Sequence, residues 1–275
     1  MTHIWIRAEE RTNEQRVGVT PGGVTSLVQA GFQVTLEEDP SRAIALADYT
    51  GCSLTATGSW RNAPKDAIIF GLKELPEDDS PLVHRHIMFG HAYKGQPDGV
   101  RLLERFKRGG GWLYDLEYLT DDTGRRIAAF GYWAGYAGAA VALKCWVAAR
   151  SGALCAPLQT FPSARTLQKH IAEDLGTDER PKVIIIGALG RVGNGARDFC
   201  VAMGAEVTGW DIEQTAKGGP FPEILTHDIF LNCILASAST PIFVPALAAS
   251  APRDLRVIGD IACDPGSAFS PIKVY

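Results

Sequence analysis

Residues 182 to 195 read KVIIIGALGRVGNG, and this stretch leaves the chain few folds to choose from. Four consecutive β-branched residues at 183–186 suit a strand buried on both faces, the central strand of a parallel sheet. Gly187, Gly190 and Gly193 follow at three-residue intervals, and the amphipathic stretch at 196–203 predicts a helix. Strand, glycine turn and helix in succession present free backbone N–H groups on which a pyrophosphate can sit. The next expected strand, 205–210, ends in Asp211, 24 residues beyond Gly187. That is about where a dinucleotide fold sets the acid that holds the adenosine ribose hydroxyls. The spacing is G-x-x-G-x-x-G, since Leu189 and Val192 stand where the stricter G-x-G-x-x-G pattern needs glycine. Asp211 has no basic neighbour to receive a 2′-phosphate and its own charge would repel one, which favours NAD over NADP.

A chain of 275 residues, 46% hydrophobic, can bury one large core or two modest ones. The net charge of -4, with mixed signs, gives no sign of a nucleic-acid surface. Six cysteines at 52, 145, 155, 200, 233 and 263 form no C-x-x-C pair, so they read as reduced thiols of a cytoplasmic protein. The N-terminal residues have no signal-peptide pattern. The uncharged run 127–143 is short for a membrane span and holds three glycines, and it reads instead as a buried interdomain helix.

Strands expected at 4–7, 33–36, 67–70, 86–89, 112–116 and 127–130 alternate with helices at 20–29, 41–47 and 100–107. Thr20-Pro21 opens the first of these helices, with Thr20 as cap and Pro21 at the first position. A long apolar helix at 134–149 leads into a second region with strands near 183–186, 206–210, 228–234 and 256–260. The fold class is therefore α/β, two domains, each a Rossmann-like parallel-sheet unit, with the active site expected in the interdomain cleft. The boundaries are 1–130 for a substrate-binding domain and 131–275 for a dinucleotide-binding domain.

Ligands in such folds bind beyond the carboxyl ends of the strands. Lys73, Glu74, His91, Glu117 and Asp260 all follow expected strands. Each has a plainer reading. Lys73-Glu74 could be a solvated loop pair, and His91 a satisfied core histidine. His84, His86 and His91 could suggest a metal, but no cysteine or carboxylate completes a ligand set, so no metal is expected. Arg16, Arg125 and Arg126 could clamp carboxylates or sit on the surface. No serine or thiol nucleophile motif is present.

Several blocks together resemble one family. They are R-A-E with R-x-x-x-T-P over 7–21, I-I-F-G-L-K-E-L-P-E at 68–77, F-G-H-A-Y-K at 89–94 and L-Y-D-L-E at 113–117. G-R-R-I-A-A-F-G at 124–131, I-I-G-A-L-G-R at 185–191, K-G-G-P-F at 217–221 and Asn232-Cys233 complete the set. The chain resembles the lysine-forming, NAD-dependent saccharopine dehydrogenases, within the wider alanine dehydrogenase and transhydrogenase group. The resemblance implies reversible oxidation of saccharopine to L-lysine and 2-oxoglutarate with NAD, by hydride loss from a secondary amine followed by imine hydrolysis.

Carried over position by position, the resemblance makes Lys73 the base for the amine proton and His91 the group that moves protons during imine hydrolysis. Glu74, Glu117 and Asp260 would tune the site. Arg16, Lys94 and Arg126 would receive substrate carboxylates, and Gly187, Gly190, Arg191, Gly193 and Asp211 would hold the cofactor. A lysine serves as a base at neutral pH only where burial or neighbouring cations disfavour its charge. The resemblance also implies a monomer with small-molecule substrates and neither nucleic-acid nor membrane partners. In that family the chain continues past the position of Tyr275 and returns to the first domain, so the sequence as it stands is expected to be poorly stable or weakly active. Two alternatives stay open: a related opine or amino-acid dehydrogenase, and an NAD-binding module without turnover.

Overall fold

The computed structural model describes residues 1–76, 78–93, 97–129, 131–177, 179–262 and 266–274. The chain forms two compact units, Met1–Ala129 and Phe130–Tyr275.

The first unit runs β1 (His3–Ile6), α1 (Pro21–Gln29), β2 (Gln33–Glu37), β3 (Ser53–Thr55), β4 (Ile68–Phe70), β5 (Arg85–Met88), α2 (Pro97–Gly109) and β6 (Trp112–Asp115). The sheet order is β3-β2-β1-β4-β5-β6, with every pairing parallel. The chain therefore builds to one side of β1 and then, from β4, to the other. Loops leaving β1 and β4 diverge, which opens a crevice at their carboxyl ends. Thr20 caps α1 by accepting the Gly23 N–H at 3.2 Å, and Pro21 fills the first turn, where a missing N–H costs nothing. Ile4, Ile6, Val24, Val34 and Leu36 pack on one side of the sheet. Trp60, Ile69, Leu82, Met88 and Phe106 form the other cluster.

Two expected elements are absent. Residues 41–45 are not helical; only a 3₁₀ turn, Leu46–Asp48, forms nearby. Asp39 accepts both the backbone N–H (2.9 Å) and the hydroxyl (2.6 Å) of Ser41, a local bond that competes with helix nucleation in so short a stretch. The 127–130 strand is also missing over its described residues, Phe130 lying outside them. Asp121 Oδ1 accepts the N–H groups of Thr123 and Arg125, each at 3.0 Å. The chain then folds back so that Ile127 N–H meets the Leu119 carbonyl at 2.9 Å, and it pairs with its own turn instead of joining the sheet. The short edge strand β3, S-L-T, carries too little apolar pattern to be read in advance.

The second unit runs α3 (Tyr132–Arg150), α4 (Ala164–Leu175), β7 (Lys182–Ile186), α5 (Arg191–Ala202), β8 (Glu206–Trp210), α6 (Ile212–Thr215), β9 (Ile229–Asn232) and β10 (Val257–Asp260). Its parallel sheet has the order β10-β9-β7-β8. Val183 and Ile185 enter a core with Tyr136, Leu143 and Phe199; Ile184 and Ile186 enter another with Phe221, Phe230 and Phe243. A strand sealed on both faces explains the unbroken apolar run.

The helix after the glycine turn begins at Arg191, five residues earlier than expected, so Gly193 and Gly195 lie inside it. Their role is close approach. A Cβ on Gly195 would overlap the Tyr132 carbonyl, and one on Gly135 would overlap the Val192 carbonyl. The two glycines let α3 and α5 touch backbone to backbone. The uncharged run ahead of Lys144 is thus largely the start of α3, packed in this core. Among the described residues no helix is long and apolar enough to cross a membrane, and the five described cysteines are free thiols.

Two tests follow. Gly195→Ala raises helix propensity by about 1 kcal/mol, yet overpacking costs about 1–3 kcal/mol or more. A lower urea midpoint is expected. The second concerns His86, 1% exposed, its ring edge-on to Trp60 and Phe106 and its Nε2 without a hydrogen-bond partner. Burial, aided by Arg7, His84 and Arg105, pushes its pKa from 6.5 down to about 3. The unfolded chain thus takes up this proton first, and stability falls as pH drops from 6.5 toward 3. The loss is about 1.4 kcal/mol per pH unit. His86→Phe is expected to remove that slope from denaturant unfolding measured between pH 6 and pH 4, on the order of one proton less.

Candidate active site and cofactor site

In the first unit the carboxyl ends of the central strands carry most of the residues singled out from the sequence. Lys73 lies in the turn after β4. Glu9, just beyond β1, accepts the backbone N–H groups of Leu72 at 2.6 Å and Lys73 at 2.9 Å. Arg7, 2% exposed, donates to the Lys73 carbonyl and lies 3.5 Å from Glu9. Glu14 holds Arg16 through two bonds, 2.8 Å to Nε and 2.6 Å to a terminal nitrogen. The Arg16 side-chain hydrogen bond is the main cause that holds the Glu14 carboxyl below its ordinary range, and the charge of Lys73 acts in the same direction.

His91 follows β5 with φ +49°, a left-handed conformation uncommon outside glycine and held only where the surroundings fix it. Its Nε2 is 3.6 Å from Glu74 and its Nδ1 is 3.3 Å from Glu117. Arg126 reaches Glu117 at 3.7 Å, and Arg11 reaches Glu74 at 3.6 Å. Asp115, at the end of β6, accepts the N–H of Gly90 at 3.2 Å and of Glu117 at 3.0 Å, and so fixes the turns on either side of the histidine. A cavity of about 400 Å³ opens beside His91 and Glu74, with Arg11, Arg101, Glu10 and Asp79 in its walls.

The structure thus brings Lys73, Glu74, His91, Glu117, Arg16 and Arg126 into one unit. Lys94 lies outside the described residues. His84 and His86 are core residues, His84 bonded to the Ala63 carbonyl at 3.0 Å; no metal-holding cluster occurs among the described residues. Sequence reading gave no role to Arg7, Glu9, Glu14 or Asp115. The R-A-E and L-Y-D-L-E blocks contained three of the four.

The second unit carries the positions that the sequence assigns to the cofactor. Gly187 has φ +86°, and a Cβ on Gly193 would collide with its carbonyl. Gly190 precedes α5 without any side-chain cap, which leaves the first N–H groups of that helix for a ligand. Arg191 is the first residue of α5. Asp211 Oδ2 accepts the Leu189 N–H and Oδ1 the Ile212 N–H, each at 2.9 Å. A cleft of about 660 Å³ is bounded by Gly187, Gly190, Asp211, Thr215, Cys233 and Ser237. An open helix start, a cradle that a side chain would fill, and a carboxylate at the end of β8 fit a dinucleotide. Asp260, at the end of β10, accepts from Asn232 Nδ2 at 3.0 Å, which ties it to the end of β9.

Two parallel-sheet units, one with a dinucleotide cradle and one with a lysine and a histidine among carboxylates, define a dehydrogenase of amino-acid type. Residues 5–137 match the family "Alanine dehydrogenase/PNT, N-terminal domain". The transhydrogenase from Sinorhizobium meliloti shares the fold, with a TM-score of 0.57 at 18% identity over 92% of this chain and 75% of that one. The saccharopine dehydrogenase [NAD(+), L-lysine-forming] of Schizosaccharomyces pombe is 43% identical over 99% of this chain and 78% of its own length. The protein of the same name from Emericella nidulans is 44% identical over 99% and 77%. The chain belongs to this saccharopine dehydrogenase family.

Asp211→Ala tests the cradle. Loss of a charged hydrogen-bond acceptor is expected to weaken NADH binding by about 10-fold or more and to narrow the preference over NADPH. Fluorescence titration with both nucleotides measures the ratio.

Proposed function

We propose that the chain is an NAD-dependent oxidoreductase that cleaves saccharopine to L-lysine and 2-oxoglutarate, reversibly. The observation that carries this reading is the pairing in one unit of a lysine on a fixed turn with a histidine between two carboxylates. The 43% identity to the S. pombe enzyme over 99% of the chain supports it. NAD, when bound, would supply the hydride acceptor for the carbon attached to the secondary nitrogen. Lys73 takes the proton that the nitrogen gives up. His91 takes a proton from water as it adds to the imine carbon and passes it to the nitrogen; as the C–N bond breaks and the carbonyl forms, it moves the carbinolamine hydroxyl proton to the departing lysine amine. Glu74 and Glu117, 3.6 and 3.3 Å from its two nitrogens, place negative charge on both sides of the imidazole.

Saccharopine carries three carboxylates. Arg16 and Arg126 meet them, Glu14 and Glu117 being their partners beforehand; a guanidinium has five donors and can serve more than one acceptor. Lys94 adds a third cation. Gly187, Gly190, Arg191, Gly193 and Asp211 hold the dinucleotide, and Asp260 supports the end of the second sheet. The protein acts on small molecules as a monomer in the cytoplasm.

The test is NADH oxidation with L-lysine and 2-oxoglutarate, beside NADPH and alanine-plus-pyruvate controls. Lys73→Met and His91→Gln are each expected to lower kcat by about 10²–10⁴-fold with NADH binding retained. Turnover like that of the unaltered chain in both variants would discard the site assignment, and a faster reaction with alanine and pyruvate would discard the substrate.

A further inference from the structure

The R-A-E block stands out because nothing in the reaction uses it. Arg7 and Glu9 flank Ala8 directly after β1, across the strand-order reversal from the turn that carries Lys73. Glu9 is a double acceptor for that turn, 2.6 Å from the Leu72 N–H and 2.9 Å from the Lys73 N–H. Arg7 donates to the carbonyl of the same Lys73 and to the Ala8 carbonyl at 3.1 Å. Both polar backbone groups of Lys73 are therefore held from β1, and the two holding groups pair with each other at 3.5 Å. Their side chains are 0% and 7% exposed, so water competes little for these bonds.

The fit is close. Gly71 lies beneath the Arg7 guanidinium, and a Cβ there would overlap it. Ala8 is itself fixed, its N–H bonded at 3.0 Å to Glu37, a carboxylate 1% exposed that also accepts the Gly58 and Trp60 N–H groups. Glu37 anchors Ala8, Ala8 sets Arg7 and Glu9, and these two set Lys73.

We propose that Arg7 and Glu9 are positioning residues for the proton-transfer lysine, holding its backbone so that the side chain stays unpaired for chemistry. This rests on the reading of Lys73 as the base. A misplacement of about 1 Å can cost a reaction about 10²-fold, so the clamp has a measurable consequence.

Glu9→Gln keeps the size of the side chain but turns one of two acceptors into a donor facing an N–H. Amide hydrogen exchange is measured by NMR at Leu72 and Lys73, with Ile69 and Phe70 as internal references. Steady-state kinetics are measured in parallel, in the presence and absence of Lys73→Met. Exchange at Leu72 and Lys73 is expected to accelerate while the references keep their protection. In the unaltered background kcat should fall about 10–100-fold, with KM for saccharopine and the NADH dissociation constant within about 2-fold. In the Lys73→Met background the same change should have an effect below about 2-fold, because residues acting through one group are not additive. Unchanged exchange overturns the proposal, and so does an equal loss of kcat in both backgrounds. Full turnover by Lys73→Met alone is the separate sign that the base assignment has failed. Gly71→Ala, which displaces Arg7 without changing any charge, is expected to give the same pattern and takes the place of Glu9→Gln if that variant does not fold.

Discussion

A parallel sheet that grows first to one side and then to the other lets two loops diverge at the carboxyl ends of its central strands. In the first unit those strands are β1 and β4, and the loops carry Arg7 to Glu9 and Gly71 to Glu74. In the second they are β7 and β9, and the loops carry the glycine turn and Asn232-Cys233. The apolar residues of 183–186, at most 1% exposed, fix β7 at its centre. Burying each β-branched side chain is worth about 1.5–3 kcal/mol, and a shift of one residue would exchange the two faces. Both faces are sealed, so the loops at the strand ends are what remains for chemistry.

Backbone N–H groups in such loops have left the sheet ladder and need acceptors. This chain supplies them with carboxylates. Glu9 serves Leu72 and Lys73, Asp115 serves Gly90 and Glu117, Glu37 serves Ala8, Gly58 and Trp60, and Asp211 serves Leu189 and Ile212. A hydrogen bond to a charged group is worth about 1.5–3 kcal/mol, enough to fix a turn against its own entropy. The consequence is an acid-rich crevice in the unit proposed to receive an anionic substrate. Arg7, Arg11, Arg16 and Arg126, each within 4 Å of one of these or neighbouring acids, offset the charge.

The central strands were legible because burial on both faces writes a plain apolar run, and α1 because Thr20-Pro21 is a cap with a mechanism. The start of α5 was misread because Gly193 and Gly195 lower helix propensity, and only the contact with α3 shows why they are tolerated. The 41–47 and 127–130 segments failed where an aspartate bonded its local backbone, a competition that periodicity does not register. In the candidate site, the residues proposed to act on substrate stand out in the sequence by their places after strands. Glu9, Glu14 and Asp115 could not, since a carboxylate that holds a backbone N–H has no distinguishing spacing.

The way Lys73 is held suits the proton-accepting role proposed for it. A lysine fixed through its ammonium would sit against a carboxylate, and that partner would favour the proton it must release. Among the described residues no ion pair or hydrogen bond engages Lys73 Nζ; its fixed points are its N–H and its carbonyl. Anchoring through the main chain separates position from charge. His91 is arranged differently. An imidazole gains or loses a proton near neutrality without large perturbation, so carboxylates 3.6 and 3.3 Å from its two nitrogens can orient the ring. The main chain thus fixes Lys73, whereas carboxylates flank the ring of His91, and the two residues have unlike surroundings within one unit.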